Sequence, residues 1–200
     1  MIRIIKKIPH KVTIACSGGI DSMVFTDFLL KGNRKIELAY FNHDTMHASE
    51  AQKFVESYAN KEGLPLHVGR VNGLKGKRSM EEFWRDERYG FFSKLKSKHI
   101  ITCHHLDDCL ETWIMTSMHG HSRLIPYRRG ENIYRPFLMT SKATIKKYTE
   151  NKDVVWIEDP SNQQTKYARN HVRHNVIPQI TKINPGVRTM LRKKLIEKYL

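Results

Sequence analysis

The sequence predicts an α/β protein with an open, mainly parallel five-stranded sheet, helices on both faces and a helical C-terminal tail. Two observations support this fold class. Short apolar runs alternate along the chain with longer stretches of helical periodicity, which is the pattern of parallel strands joined by crossover helices. Glycines also stand where two of the helical patterns end, at Gly32 and Gly120.

The individual elements follow from these runs and from local capping signals. The predicted strands are short and apolar, at residues 12–16, 36–41, 64–68, 99–103 and 154–157. The predicted helices lie between them, at residues 22–30, 49–61, 79–95, 107–118 and 144–150. Ser49 with Gln52, and Ser79 with Glu82, form capping-box patterns.

Two further segments complete the prediction. Residues 121–134 are predicted to be irregular and basic. From residue 166 the chain is predicted to form helices that break at Pro178 and Pro185. In parallel sheets the ligand lies beyond the carboxyl ends of the strands, at the switch in strand order. We therefore expect the loops after Cys16, Phe41 and Cys103 to converge on one site.

The composition indicates the class of partner and the compartment. Lys and Arg total 35 against 20 acidic residues, a formal charge of +15, which favours a polyanionic partner and above all nucleic acid. The three cysteines form no Cys-x-x-Cys pair, which argues against a disulfide framework and fits a reducing cytoplasm. No apolar stretch has the length of a membrane span or the pattern of a signal peptide, so we expect a cytoplasmic protein without a membrane partner.

A loop of small residues after the first strand predicts nucleotide binding. It leads directly into a helix and consists of Ser17, Gly18, Gly19, Ile20, Asp21 and Ser22. Two glycines let the backbone approach an anion closely, and the N–H groups at the helix N-terminus point at the same place. Asp21 would repel a phosphate, but it could hold a Mg²⁺ that bridges to the phosphates. The lysine of a Walker loop is absent.

A second cluster follows the fourth predicted strand and opens a helix. It runs His104-His105-Leu106-Asp107-Asp108-Cys109-Leu110-Glu111-Thr112. Asp108 and Glu111 are three residues apart and share a helix face, where they could bind Mg²⁺ or the ammonium group of an amine substrate. The alternative is that Asp107 caps the helix while Asp108 and Glu111 are solvated. The adjacent histidines diverge and have no third ligand at a helpful spacing, which argues against zinc.

The glycine loop resembles the PP-loop of the N-type ATP pyrophosphatases, and the whole chain resembles the tRNA(Ile)-lysidine synthetase family. Six motifs match this family in order. They are Ser17 to Ser22; Glu81, Arg85, Arg88 and Tyr89; His104 to Thr112; Arg135 and Pro136; Trp156, Asp159, Ser161 and Asn162; and Arg169, Asn170, Arg173 and Pro178.

The resemblance implies an activity and roles for several of the matching residues. The family adenylates the wobble cytidine of an isoleucine tRNA, expected here to have a CAU anticodon, with ATP. L-lysine then displaces AMP to give lysidine. By position, Ser17 to Ser22 would bind ATP, and Asp21, Asp108 and Glu111 would hold Mg²⁺. The resemblance also implies catalytic roles for Asp108 and Glu111 at the lysine ammonium, and for Arg85 and Arg173 at the activated base and phosphates. His43 and Cys103 would line the nucleotide pocket.

The sequence departs from the family pattern in two places that affect these expectations. After the second strand the family usually has a His-x-x-His-x-x-Arg-like loop, of which this chain keeps one histidine, so a structural role for His43 is an equal alternative. Full-length members continue into C-terminal tRNA-binding domains, which we expect this protein to lack. We therefore expect a PP-loop domain at residues 1–165 with a basic helical extension, residues 166–200, packed on it.

Three other functions are weighed against lysidine formation. One is a different PP-loop ligase acting on a small molecule, against which the motif from Asp159 to Arg173 and the charge of +15 argue. Another is a thiolating RNA enzyme, which would need a cysteine arrangement that Cys103 and Cys109 do not provide. The last is a non-catalytic RNA-binding relative, against which the presence of Asp21, Asp108 and Glu111 argues.

Overall fold

The computed structural model describes residues 1–158, 160 and 168–200. The strands, β1 to β6 in chain order, are Lys11–Ala15, Lys35–Asn42, Leu66–Arg70, Ile100–Ile101, Arg128–Arg129 and Ile133–Tyr134. The helices, α1 to α8, are Ile20–Lys31, Ala48–Lys61, Met80–Lys94, Leu106–Ser117, Lys142–Lys152, Ala168–His171, Ile177–Ile183 and Val187–Tyr199. None of the helices in these described ranges is long and apolar enough to span a membrane.

The described strands form a six-stranded sheet in the order β3-β2-β1-β4-β6-β5. All neighbours pair in parallel except β5 and β6, which are antiparallel. The chain moves outward on one side of β1 through β2 and β3, and then returns to the other side of β1 with β4. This reversal places a topological switch point between β1 and β4. The predicted α/β class is confirmed, with six strands instead of five.

Helices cover both faces of the sheet, as predicted. Successive side chains of β2 point to opposite faces of the sheet, as in any β-strand. Ile36, Leu38 and Tyr40 join the core beneath α1 and α2. Ala39 packs on the other face with Phe92 of α3. Both faces are therefore buried, which is the usual condition of a parallel sheet.

The C-terminal helices pack on α4. Leu106 and Leu110 of α4 share one buried cluster with Ile177 of α7 and with Leu191 and Leu195 of α8. Apolar burial of this kind contributes about 1.5–3 kcal/mol per large side chain. The expected packing of the basic extension on the preceding domain agrees with this cluster. The expected boundary between residues 165 and 166 lies outside the described residues.

The predicted strand at residues 154–157 is wrong. Its apolar side chains are not buried against a sheet, since Val155 is 65% and Trp156 39% exposed. The backbone N–H of Ile157 instead donates to Gly18 O at 2.9 Å. The last two strands, β5 and β6, lie within the segment predicted to be irregular, because two-residue strands give no recognisable alternation.

Of the two predicted capping boxes, one is confirmed. Ser79 and Glu82 bond reciprocally at the start of α3. The Ser49 and Gln52 box is wrong, because the N-cap of α2 is His47, two residues before Ser49. Gln52 is used elsewhere: it accepts a hydrogen bond from Asn42.

The predicted helix break at Pro178 is also wrong, whereas the break at Pro185 is confirmed. Between α6 and α7 lies a π-helical segment, Val172–Val176, in which the Ile177 N–H donates to Val172 O. Proline lacks an N–H and its ring clashes with the carbonyl four residues earlier, so a wider turn lets the helix continue past it.

The stacked pair of Phe25 and Phe137 gives a test of the core. Their ring centroids are 3.7 Å apart, and both side chains are fully buried. Phe137→Ala should lower the free energy of unfolding by about 3–5 kcal/mol, because it leaves a cavity under α1. Urea denaturation measures this change. Leu74→Ala is the control, since Leu74 is 91% exposed and its loss should change stability by less than about 0.5 kcal/mol. Equal effects of the two substitutions would refute the packing described here.

Candidate active site

The candidate site lies at the carboxyl ends of β1 and β4, where the strand order switches. The glycine loop, Ser17 to Ser22, follows β1, and the N-terminus of α4 follows β4. The two segments meet where His105 Nε2 lies 3.5 Å from Asp21 Oδ1. Two of the three loops predicted to converge therefore meet, whereas His43 in the loop after Phe41 packs against Trp84 of α3.

Gly18 determines the shape of the glycine loop. Its φ is +79°, a left-handed conformation that favours glycine. A Cβ atom there would lie 3.1 Å from Ile157 Cγ2 and 3.2 Å from Phe54 Cδ1. Both the backbone angle and the close neighbours therefore require a residue without a side chain.

Ser22 closes the glycine loop from the helix side. Its hydroxyl donates to Gly19 O at 2.8 Å and accepts from the Ser17 N–H at 3.2 Å. Gly19 is the N-cap of α1, and within the described ranges no side chain caps this helix end. The first N–H groups of α1 have no partner within the helix, so they are available to an anion.

Asp21, which lies in the first turn of α1, is paired with two cationic groups. Lys142 Nζ donates to Asp21 Oδ1 at 2.6 Å, and the His105 ring faces the same oxygen. Burial opposes ionisation of this carboxyl, but His105 and Lys142 together hold its pKa below the usual value. Asp21 is therefore a charged carboxylate beside the loop.

His105 is the N-cap of α4, so the alternative in which Asp107 caps the helix is wrong. The His105 backbone N–H donates to Asp108 Oδ2 at 2.8 Å, and Nδ1 of the ring lies 3.6 Å from the same oxygen. Burial alone would lower the pKa of His105, but Asp108 and Asp21 on its two sides raise it. Asp107 instead accepts from the Lys142 backbone N–H and from Arg188 Nε, both at 2.7 Å.

Asp108 is held in its charged form. Burial opposes this, but the neighbouring His105, His104 and Arg169 keep its pKa well below the usual range. Its Oδ1 lies 3.8 Å from Arg169 Nη2 and 3.9 Å from Arg173 Nη2.

Glu111 is bonded to two arginines at once, and its side chain is only 1% exposed. Arg173 forms a two-pronged pair with it, with Nε at 2.6 Å from Oε1 and Nη2 at 3.0 Å from Oε2. Arg169 Nε donates to Oε2 at 2.8 Å. The alternative in which Glu111 is a solvated helix residue is therefore wrong.

The carboxylates differ in their fitness for Mg²⁺. Mg²⁺ is usually bound through one or two carboxylates together with substrate phosphates. Asp21 fits this pattern, because it is charged and adjoins the open N-terminus of α1. Glu111 fits poorly, since guanidinium groups take both of its oxygens. No cluster of three or more acidic, histidine or cysteine ligands with metal-site geometry occurs among the described residues.

Three of the predicted site residues take no part in the described ion pairs of this charge cluster. Arg85 is exposed on α3, where its Nε lies 3.9 Å from Asp86 Oδ1. Cys103 is half-buried between β4 and β1, where its thiol points to Ala15 O at 3.8 Å. Burial raises the pKa of this thiol. His43 packs against Phe41 and against Trp84 of α3.

Sequence reasoning did not assign Lys142, His105 or Arg169 to the site. Lys142 is 121 residues from Asp21 in the chain, so no local signal connects the two. Arg169 could have been found, because it precedes Arg173 by four residues and therefore shares its helix face. His105 lies in a cluster that was recognised, but its part as a cap between two carboxylates depends on the fold.

The comparisons with known proteins agree with this geometry. The protein-family model ATP_bind_3, described as a PP-loop domain, matches residues 3–180 of this sequence. This chain belongs to the PP-loop family. The matched range includes both the glycine loop and the acid cluster that adjoins it.

Two relatives of this PP-loop chain are tRNA(Ile)-lysidine synthases. The protein from Persephonella marina is 37% identical over 193 residues, covering 88% of this chain and 43% of the relative. The protein from Staphylococcus aureus strain COL is 33% identical over 192 residues, covering 86% of this chain and 44% of the relative. This chain therefore spans less than half the length of these two relatives.

A solved PP-loop structure is also similar. The U34-tRNA thiolase NcsA from Methanococcus maripaludis, with its 4Fe-4S cluster, superposes with a TM-score of 0.72. The match covers 96% of this chain and 72% of that chain at 14% identity. At this identity the similarity supports the fold alone.

The Glu111 pairs predict a large stability effect. Glu111→Gln keeps the size of the side chain but removes the carboxylate to which both guanidinium groups are hydrogen-bonded. The free energy of unfolding should fall by about 3 kcal/mol, measured by urea denaturation. The same substitution at Glu50, whose side chain is 71% exposed and 3.9 Å from His47, should change it by less than about 0.5 kcal/mol. A Glu111→Gln protein as stable as the wild type would contradict the buried pairing.

His43 predicts a pH dependence of stability. Burial, followed by the charge of Arg88, lowers the pKa of His43 to about 4. An unfolded histidine titrates near 6.5, so between pH 6.5 and 4 the unfolded chain binds more protons and stability falls as the pH falls. His43→Gln should lose less stability than the wild type between pH 7 and 4.5 in urea titrations. The exposed His10→Gln is the control. A wild-type pH profile in the His43 variant would show that this ring is not buried as described.

Proposed function

We propose that this chain forms lysidine: it adenylates the wobble cytidine of an isoleucine tRNA with ATP and joins L-lysine to the activated carbon. The supporting observation is the meeting of the glycine loop and the α4 cluster across β1 and β4, with Asp21 Oδ1 3.5 Å from His105 Nε2. The similarity to tRNA(Ile)-lysidine synthases supports the choice of reaction. A cytoplasmic location, where tRNA is present, belongs to the same proposal.

The glycine loop is proposed to hold the β- and γ-phosphates of ATP. Its glycines bring the backbone close to an anion, and the uncapped start of α1 supplies N–H donors. Asp21 would hold Mg²⁺, which neutralises charge on the phosphates when bound. In this structure Lys142 is paired with Asp21. If Mg²⁺ bound to Asp21, Lys142 would be free to pair with a phosphate oxygen instead.

Arg169 and Arg173 are proposed to act at the α-phosphate. The oxygen on C2 of cytosine is a poor nucleophile, so its attack on the α-phosphorus needs an in-line geometry and a stabilised transition-state charge. Arginine is always charged and can bind phosphate through two N–H groups. Glu111 holds both guanidinium groups in place, which makes it a positioning residue in this proposal.

Asp108 is proposed to receive the lysine ammonium. It is a charged carboxylate, and its side chain is 16% exposed, against 1% for Glu111. Once pyrophosphate has left, the lysine amine loses a proton and attacks C2, and the C2–O bond breaks to release AMP.

The RNA substrate is supported by charge. The formal charge of the chain is +15, and α8 carries exposed Lys193, Lys194 and Lys198. Arg85 is likewise exposed on α3. Contacts of this kind bind the phosphate backbone and position the RNA without reading its sequence. The choice of an isoleucine tRNA by this chain is part of the proposal.

A direct assay tests the reaction. The protein is incubated with ATP, Mg²⁺, radiolabelled lysine and total tRNA, and label in RNA is counted. We expect ATP-dependent incorporation. Asp21→Asn should reduce the rate at least about 100-fold, because it removes the charge at the loop. Asp27→Asn is the matched control on the same helix, where Asp27 pairs with Lys31 and Tyr148.

Other outcomes would reject the proposal in different ways. ATP cleavage that responds to neither RNA nor lysine would favour a ligase acting on a small molecule. RNA binding without ATP cleavage would favour a non-catalytic RNA-binding relative. Full activity of Asp21→Asn would remove the assignment of Asp21.

A further inference from the structure

Three arginines surround one phenol at the edge of the site. Arg135 Nη2 donates to Tyr89 Oη at 3.0 Å. The guanidinium carbon of Arg129 lies 3.8 Å from the centre of the Tyr89 ring, and that of Arg88 lies 5.7 Å from it. We call Arg88, Arg129 and Arg135 the arginine cluster.

No carboxylate neutralises the arginine cluster in the described part of the chain. Arg169, Arg173 and Arg188 each have a carboxylate within 3 Å. Neither Arg88 nor Arg129 has one within the described ranges, and Arg135 donates to neutral oxygens of Pro126 and Tyr89.

The positive charge of the arginine cluster is poorly compensated by its surroundings. Arg135 is only 4% exposed, and its Nε is buried without a partner among the described residues. Burial, and then the neighbouring charges of Arg129 and Arg135, lower the pKa of Arg88. Leaving buried donors and like charges uncompensated is unfavourable, so an anion that enters here would be bound strongly.

Guanidinium groups that converge in this way match the oxygens of a phosphate group. We propose that the arginine cluster binds a phosphodiester of the RNA substrate next to the reacting nucleotide. This inference rests on the proposed function and adds a specific contact to it.

The position of the cluster favours RNA over ATP as the source of the phosphate. Arg88 belongs to α3, and Arg129 and Arg135 lie in and just after the β5–β6 hairpin, whereas the glycine loop precedes α1. The Thr102 N–H at the end of β4 donates to Tyr134 O at 3.0 Å, so Arg135 lies beside the segment that opens α4. The glycine loop instead follows β1, which flanks β4 on the side opposite β6. A phosphate in the cluster would therefore lie on the α4 side of the site and not on the glycine loop.

Two neighbouring arginines of β5 provide a matched pair for the test. Arg129 is exposed and stacks on Tyr89, whereas exposed Arg128 stacks on Tyr134 at 5.6 Å and bonds to the Glu131 carbonyl. Binding of an isoleucine-tRNA anticodon stem-loop is measured without ATP or lysine at several KCl concentrations. Arg129→Ala should weaken binding about 3- to 10-fold and reduce the salt slope by about 0.7–1, as expected for one lost phosphate contact. Arg128→Ala should stay within about 2-fold of the wild type.

Stem-loops with one uncharged backbone linkage can identify which RNA phosphate the arginine cluster binds. Stem-loops with one methylphosphonate, placed in turn on each side of the wobble nucleotide, are bound to wild type and to Arg129→Ala. At one position the modification should weaken wild-type binding about as much as Arg129→Ala does, and should have little further effect in that variant. The KM for ATP of Arg129→Ala should equal that of the wild type. A raised KM for ATP with unchanged RNA binding would instead place an ATP phosphate in the cluster and overturn the inference.

The results separate this inference from the proposed function. Equal RNA affinities of Arg129→Ala, Arg128→Ala and wild type, in a protein that incorporates lysine, would overturn the inference and leave the function standing. Equal losses in both variants would show a diffuse basic surface instead of a site, and would also overturn it. Wild-type protein that binds no stem-loop and incorporates no lysine would reject the function itself.

Discussion

The buried carboxylate of Glu111 is the interaction on which the rest of the site depends. Removing such a charge from water costs several kcal/mol unless partners compensate it. Here the compensation comes from Arg169 and Arg173, about 60 residues later in the chain. The apolar cluster between α4 and the C-terminal helices brings these segments together, and the charge pairs set their orientation. The site therefore forms only when the C-terminal helices are docked on α4.

The other charges of the site are arranged so that each is held by its neighbours. Lys142, Asp21, His105, Asp108 and the two arginines alternate in sign along one line of contacts. Two groups of arginines in the fold differ in their pairing. Arg169, Arg173 and Arg188 are paired with carboxylates, whereas those gathered around Tyr89 have no carboxylate partner among the described residues.

The sequence predicted the fold class because the long elements have clear periodicity, and it placed the glycine loop and α4 at one edge because parallel strands end together. The sequence-based prediction was wrong where contacts between distant segments determine the structure. Val155 and Trp156 are apolar yet exposed, so their run was mistaken for a strand. Within the site, the acids were found from their spacing on one helix. Of their partners Arg173 was also predicted, but Lys142 and Arg169 were not, since their contacts join segments that are distant in the chain. The distant positions of Arg85 and His43 follow from the side of the sheet on which α3 packs.

The π-helical segment before Pro178 restricts how the C-terminal helices can vary. A π turn holds about one residue more than an α turn, so the segment acts as a single-residue insertion within an otherwise continuous helix. Deleting one residue there would restore a regular helix and rotate α7 by about 100° relative to α6. Arg169 could keep its carboxylate, but Ile177 would turn out of the cluster under α4. Chain length across this turn is thus constrained together with the side chains of Val172 and Arg173 within it.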